Sequence, residues 1–151
     1  MITSLRTELD PSLEALETGA EPAPLFLDGA ACWHLLAREQ LGRLAILIDG
    51  GADVIATSYL SRHGRLYFRT APGADTPELG EHQRVVFEVS GATMMAQWNV
   101  VVRGTARRLA SEPGMLRSDL DGRHSWRPGE KFAYFEIQAE QVTGRLVPIL
   151  D

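Results

Sequence analysis

Residues 65–76 of the chain read Arg-Leu-Tyr-Phe-Arg-Thr-Ala-Pro-Gly-Ala-Asp-Thr, and this segment combines a predicted strand end with a predicted helix start. Its first half is rich in aromatic residues, which is typical of a β-strand. The Ala71-Pro72-Gly73 sequence ends the strand, because proline has no N–H donor and glycine permits a turn. Thr76 and the proline after it are typical of a helix N-cap and first helical position, so a short helix is expected to begin there.

This arrangement predicts an anion site at the end of the strand. Arg69 supplies a guanidinium, Thr70 a hydroxyl, and the helix start several free backbone N–H groups, and phosphate is the usual anion bound by such groups. The alternative is a strand, a polar turn and a capped helix without a ligand. Spacing alone favours that alternative, because arginine at a strand end is more often solvated than bound.

The composition is that of an ordinary globular domain. The chain has 151 residues, of which 44% are hydrophobic and 23% charged, and this suffices for one domain with a hydrophobic core. The formal net charge of −5 disfavours a general nucleic-acid binder, because affinity for the phosphate backbone needs a clustered basic face. The sequence has no long apolar run, so no membrane span is expected.

The cysteine content bears on the compartment. Cys32 is the only cysteine, which excludes an internal disulfide and a cysteine-based zinc site and is typical of a reducing compartment. No signal-peptide pattern follows the N-terminus. These features predict a cytoplasmic protein.

Residues 1–25 are predicted to be an N-terminal extension and residues 26–151 the folded domain. The extension mixes acidic residues and prolines without a periodic apolar face, so it is expected to be poorly ordered or to embrace a partner subunit. In the folded part, Asp28 is followed by apolar residues at helical spacing, which predicts a capped helix over Gly29–Glu39. This helix directs Cys32 into the core and gives it no role as a nucleophile.

From Gly42 onward the pattern changes from helical to strand-like. Turns at residues 49–51 and 62–64 join the first three predicted strands into an antiparallel meander. About six strands with a few short helices, one of them at Ser111–Leu120, predict a β-barrel, since closure removes exposed strand edges. The segments with a strand-like pattern, from which the count of about six is made, are Arg43–Ile48, Asp53–Leu60, Arg65–Thr70, Arg84–Val89, Gln97–Leu109, Phe132–Ile137 and Val142–Val147.

Catalytic signatures are scarce in this sequence. It contains no Gly-rich dinucleotide fingerprint, no P-loop, no His-Glu-x-x-His motif and no Gly-x-Ser-x-Gly elbow. The histidines share no metal-ligand spacing, so no metal site is predicted. The pattern identifies no catalytic residue, and carboxylates such as Glu88 and Glu136 pair only if the fold brings partners to them.

Six short motifs occur in a characteristic order along the chain. They are Cys32-Trp33-His34-Leu35-Leu36, Gly42-Arg43-Leu44-Ala45, Tyr67-Phe68-Arg69-Thr70-Ala71-Pro72-Gly73, Val86-Phe87-Glu88-Val89, Trp98-Asn99-Val100-Val101-Val102-Arg103-Gly104 and Val142-Thr143-Gly144-Arg145. The series extends from about Phe26 to Leu146 and resembles the pyridoxamine 5′-phosphate oxidase-like family, the flavin-binding split barrels.

The resemblance implies a mainly β fold, a six-stranded antiparallel split β-barrel, and a homodimer with flavin mononucleotide (FMN) in a groove between the subunits. It also implies which residues bind the cofactor. The segment that holds the phosphate corresponds to Arg69, Thr70, Ala71, Pro72, Gly73, Asp75 and Thr76. The strand beside the flavin ring corresponds to Thr57, Ser58 and Tyr59, and a later strand near the cofactor to Trp98 and Asn99.

Two positions differ from the family pattern. Asp75 stands where the family commonly has a lysine that neutralises the cofactor phosphate, although an acidic residue also suits the first turn of a helix. Asn99 replaces the usual serine and keeps a hydrogen-bonding side chain. For Trp98, a place in the core or in the dimer interface is an equally weighted alternative.

Two functions are compatible with the resemblance. The first is an oxidoreductase in which FMN or a deazaflavin performs the chemistry on an unidentified small molecule, and no protein acid or base is required. The second is a non-catalytic binding protein that keeps the barrel but has weak flavin affinity or holds haem. Pyridoxamine phosphate oxidase activity itself is less expected. The sequence shows no basic cluster for a substrate phosphate, and its C-terminus is shorter than the pattern of that enzyme suggests.

Overall fold

A computed structural model describes residues 23–70, 79–110 and 133–149. Within these ranges the chain forms the helix α1, Gly29–Arg38, and seven strands. The strands are β1 Leu25–Leu27, β2 Leu41–Ile48, β3 Gly51–Arg62, β4 Arg65–Thr70, β5 His82–Ala92, β6 Ala96–Arg108 and β7 Ala133–Pro148. Nearly all of the N-terminal extension, the predicted helix start at Thr76 and the predicted helix Ser111–Leu120 lie outside the described residues.

Six of these strands close into an antiparallel ring. Strand β2 pairs with β3, β3 with β4, and β4 with β7. Strand β7 also pairs with β6, β6 with β5, and β5 with β2, which completes the circle. The short β1 adds to β7 through the pair Leu27 and Gly144. The predicted mainly β fold, a six-stranded antiparallel barrel, is confirmed, and so is the meander of β2, β3 and β4.

The last strand differs from the prediction. The sequence predicted separate strands at Phe132–Ile137 and Val142–Val147, but Ala133–Pro148 is one strand of 16 residues. The polar residues between the two predicted strands contain a β-bulge instead of a turn, since the register with β6 shifts between Arg103 and Gly104. A bulge inserts one extra residue without ending the pairing. Strand β7 therefore stays continuous along β6.

Side chains from alternating strand positions fill the barrel. Tyr59 meets Phe87 edge to face, with 5.1 Å between ring centroids, and Phe68 stacks on Phe135 at 5.2 Å. Aromatic pairs of this kind contribute about 0.5–1.5 kcal/mol beyond the burial of their surface. Other large, fully buried core residues are Leu36, Leu44, Ile46, Leu66 and Ile137.

Helix α1 packs against the barrel through Cys32 and Leu36, which are fully buried. Asp28 Oδ1 accepts a hydrogen bond from the Ala31 N–H at 2.8 Å, so the predicted N-cap is confirmed. Burial raises the pKa of the Cys32 thiol, and the charge of Asp28 raises it further. The cysteine is a core residue, as predicted, and its thiol stays protonated and unreactive near neutral pH.

Candidate functional site

The predicted phosphate-binding side chain of Arg69 lies on the outer face of the barrel. Phe68 belongs to the core, so its neighbours on β4, Tyr67 and Arg69, take the opposite face of the strand. The ladder with β7 places Arg69 opposite Tyr134 and Tyr67 opposite Glu136. Strands β4 and β7 thus share an outer face of arginine, tyrosine and glutamate side chains, of which Arg69, Tyr134 and Glu136 are nearly buried.

A nearly buried carboxylate orders two further arginines on this surface. Arg65 Nη1 lies 2.8 Å from Glu136 Oε1, and Arg107 Nη2 lies 3.6 Å from Glu136 Oε2. The Glu136 side chain is only 5% exposed, whereas both arginine side chains are about half exposed. A buried carboxylate is costly to leave unpaired, so Glu136 holds both guanidinium groups in place at the surface.

We call the outer surface formed by Arg62, Arg65, Arg69 and Arg107 the arginine patch. Arg62 belongs to it because it pairs directly with Arg65 across β3 and β4. Sequence reasoning missed Arg107 and the role of Glu136, since only the β6–β7 register, which sets these two residues opposite each other, brings them to this surface. The net charge of −5 describes the whole chain and therefore did not indicate this local cluster of arginines.

The predicted ring-side residues lie next to the arginine patch. The last rung of the β3–β4 ladder lies at Tyr59, so Thr57 and Ser58, which precede it, adjoin Arg69 and Thr70, which follow that rung on β4. The Thr57 hydroxyl donates to the Ser58 carbonyl at 3.2 Å. Four of the predicted site residues are therefore brought together.

The Tyr59 side chain differs from these neighbours because it belongs to the core. It is fully buried, and its O–H donates to the Leu36 carbonyl at 2.5 Å, which ties β3 to helix α1. A contact between Tyr59 and a ligand therefore falls to its backbone. The predicted site residues that lie outside the described ranges are Ala71, Pro72, Gly73, Asp75 and Thr76, and their roles stay predictions.

Trp98 and Asn99 line a groove near the opposite end of β6, which we call the Trp98 groove. Its volume is about 610 Å³, within the usual range for small-molecule sites. Six of its lining residues form two rows across β5, β6 and β7. One row is Ser90, Asn99 and Arg145, and the next is Ala92, Gln97 and Val147.

Trp98 belongs to the core and to the groove at once. It is 7% exposed and packs in the main core cluster, so the core interpretation left open by the sequence holds for most of the side chain. The indole lies against Gly91 on β5, where an added Cβ would be 2.5 Å from the ring. Glycine at this position permits the close approach of the indole.

A single chain does not bring the arginine patch and the Trp98 groove together. On β7, Tyr134 is the partner of Arg69, and Arg145 is the partner of Asn99. These two β7 residues are eleven positions apart, which corresponds to roughly 35 Å along a strand at about 3.3 Å per residue. The predicted site residues thus form two separate groups within one chain.

The described residues contain no group of three or more His, Cys, Asp or Glu side chains that could hold a metal ion. In the same part of the chain, no helix has the length and apolar character needed to cross a membrane.

Known proteins similar to the chain share this fold. Residues 28–146 match the family model described as pyridoxamine 5′-phosphate oxidase. The chain is similar to a candidate pyridoxamine 5′-phosphate oxidase from Corynebacterium glutamicum, with 25% identity, a TM-score of 0.69, and coverage of 85% of this chain and 96% of that one.

Two further solved structures are similar at 24% identity, a level that supports the fold alone. One is the FAD binding protein from Mycobacterium smegmatis, with a TM-score of 0.63 and coverage of 82% of this chain and 98% of that one. The other is a FAD-binding protein from Mesorhizobium loti, with a TM-score of 0.64 and coverage of 82% and 96%. No curated protein matches the chain.

Proposed function

The chain belongs to the pyridoxamine 5′-phosphate oxidase family, and on that basis we propose that it binds a flavin, with FMN as the cofactor. The observation that carries the proposal is the position of Arg69 and Thr70 at the end of β4. Arg69 shares its outer face of the sheet with Arg65 and Arg107, which meet farther along β4 at Glu136. Guanidinium groups bind phosphate through paired N–H donors. Two proteins that share the fold are named as FAD-binding, which makes a flavin the class of ligand to test.

The chemistry of the arginine patch suits the phosphate end of FMN. Arg69 contributes a planar fork of N–H donors, and Thr70 contributes a hydroxyl. Tyr67 lies on the same face of β4 and adds half-buried ring surface with a polar tip, whereas its neighbour Tyr134 on β7 packs in a buried cluster with Leu60. A bound flavin supplies hydride-transfer chemistry, so the chain itself has only to bind the cofactor, orient its ring and exclude water.

The proposed assembly is a homodimer with the cofactor between two copies. Its support is the separation of the arginine patch from the Trp98 groove, which pair with opposite ends of β7 within one chain, so that a second copy is proposed to bring both to one cofactor. Further support comes from apolar side chains exposed around the β2–β3 hairpin, among them Leu47, Ile48 and Val54, the last 62% exposed. Apolar surface of this kind is typical of homodimer interfaces.

Sedimentation of the purified chain is expected to give a dimer at micromolar concentration. Val54→Arg places a charge on the exposed apolar surface, and it is expected to shift the dimer toward monomer and to weaken FMN binding in parallel. Sedimentation and a fluorescence titration of FMN on the same samples measure the two effects. A monomer that binds FMN with the affinity of the unchanged protein would contradict the shared site.

The identity of the cofactor is tested on the full chain as purified. We expect the absorbance spectrum of an oxidised flavin and the release of FMN on denaturation, identified by chromatography. Release of FAD would mean that the cofactor is a flavin other than FMN. A deazaflavin spectrum or a haem Soret band would mean that the protein holds one of these groups in place of a flavin. A colourless protein that takes up no FMN on titration would favour the alternative of a binding protein without flavin affinity.

The reaction proposed for the bound flavin is oxidation or reduction of a small molecule in the cytoplasm. Cys32 is a free, buried cysteine, which supports a reducing compartment, because disulfides are rare there. Bleaching of the flavin absorbance by candidate electron donors without oxygen tests the redox role. Flavin that stays oxidised with every donor class would favour the non-catalytic alternative.

Asp75→Lys is expected to tighten FMN binding about tenfold or more. A carboxylate in the segment assigned to the phosphate repels a dianion, and lysine reverses the sign. At an effective dielectric constant of about 20 this change is worth a few kcal/mol before salt screening, and about 1.4 kcal/mol is one decade in affinity. Fluorescence titration at low salt measures it, with riboflavin, which has no phosphate, as the control. Equal FMN affinities of the two proteins would contradict this position of the phosphate.

A further inference from the structure

The Trp98 groove contains a row of hydrogen-bond donors. Ser90, Asn99 and Arg145 are direct partners across β5, β6 and β7, so neighbouring side chains in the row lie about 5 Å apart. Arg145 is the one cation that lines the groove, and no carboxylate lines it. Within the described part of the chain, Arg145 has no ion-pair partner.

The hydroxyl of Ser90 is oriented by a neighbouring ion pair. Arg43 Nη2 donates to Ser90 Oγ at 2.5 Å, and Arg43 Nε donates to Glu88 Oε2 at 2.7 Å. The hydroxyl therefore accepts from the guanidinium and keeps its own O–H for another acceptor. Because Glu88 neutralises Arg43, the guanidinium of Arg145 is the uncompensated charge at the groove.

We propose that the Trp98 groove binds the carboxylate of a small substrate, with Arg145 as its charged contact. The two carboxylate oxygens accept from the row of donors, and Ala92 and Val147 in the neighbouring row contact the apolar body of the molecule. This assignment rests on the proposed function, since the groove becomes a substrate site only where the flavin held by a second copy lies beside it. Arg145 then selects acidic over neutral substrates.

The test uses 2-naphthoate as the probe and 2-naphthamide as its neutral isostere, titrated by calorimetry into the full chain as purified, at low salt. The acid is expected to bind at least tenfold more tightly than the amide. Arg145→Gln is expected to remove that preference and leave amide binding within twofold. Arg103→Gln is the matched control, because Arg103 lies on the same face of β6, contacts Thr143 at 3.3 Å and is outside the groove.

Two results would overturn the assignment. One is equal affinity of the unchanged protein for the acid and the amide. The other is the same ratio of acid to amide affinity in Arg145→Gln and Arg103→Gln. FMN titration of the same three proteins separates this assignment from the proposed function. Arg145-dependent binding of 2-naphthoate by a chain that binds no flavin would support the carboxylate site and refute the flavin proposal. Flavin binding by a chain that shows no Arg145-dependent binding of 2-naphthoate would support the flavin proposal and refute the carboxylate site.

Discussion

Arg69→Leu is expected to weaken FMN binding about a hundredfold and to leave riboflavin binding within about threefold. Arg69 is the nearly buried arginine at the end of β4 that is assigned to the phosphate. Hydrogen bonds to charged groups contribute about 1.5–3 kcal/mol each, and a guanidinium makes two to a phosphate. A loss of about 3 kcal/mol corresponds to about two decades in affinity. Flavin fluorescence titration with both ligands measures the difference.

Riboflavin serves as the internal control because it has the same ring and no phosphate. Arg69→Lys keeps the charge and loses the planar fork, so an intermediate loss of FMN affinity is expected. Arg103→Leu removes an exposed arginine from β6 outside the arginine patch and is expected to leave FMN affinity unchanged. If Arg69→Leu weakened riboflavin binding as much as FMN binding, the substitution would act through the fold and not through the phosphate. If it left FMN affinity unchanged, the phosphate would lie elsewhere.

The fold was predictable where local chemistry marks the ends of elements. Strand β4 has the predicted bounds Arg65–Thr70, because a turn precedes it and proline follows it. The preceding turns contain Gly50 and Gly64 with φ of 86° and 73°, a conformation that glycine adopts without strain. Such signals act over a few residues, so the sequence alone carries them.

The candidate site was predictable only in part, because strand register is not local. Nothing near Arg107 in the sequence indicates that Glu136 lies opposite it, and the pair forms only when β6 and β7 adopt their register. The polar segment at residues 138–141 has the composition of a turn, and its role as a bulge follows from the pairing with β6. The Trp98 and Asn99 assignments came from the resemblance, whereas Arg145 emerged from the cross-strand row.

Gly104 lies beside this bulge, on the β6–β7 seam that closes the ring. A Cβ at Gly104 would lie 1.9 Å from the Gln138 carbonyl oxygen and 2.9 Å from its carbonyl carbon. Both atoms belong to the backbone of β7, so no side-chain rotation relieves the overlap. The strands must separate at this point, or the bulge must rearrange.

Gly104→Ala is therefore expected to destabilise the protein by about 3 kcal/mol, the upper end of the usual cost of overpacking. For a chain of this length such a loss lowers the thermal midpoint by roughly 6–12 °C. Gly51→Ala is the matched control, since Gly51 begins β3, has no atom within 4 Å of an added Cβ and has no positive φ. It is expected to be neutral or slightly stabilising, because alanine restricts the unfolded chain. Calorimetric unfolding of both variants measures the difference. Equal thermal midpoints would mean that strands β6 and β7 rearrange at the bulge without a loss in the free energy of unfolding.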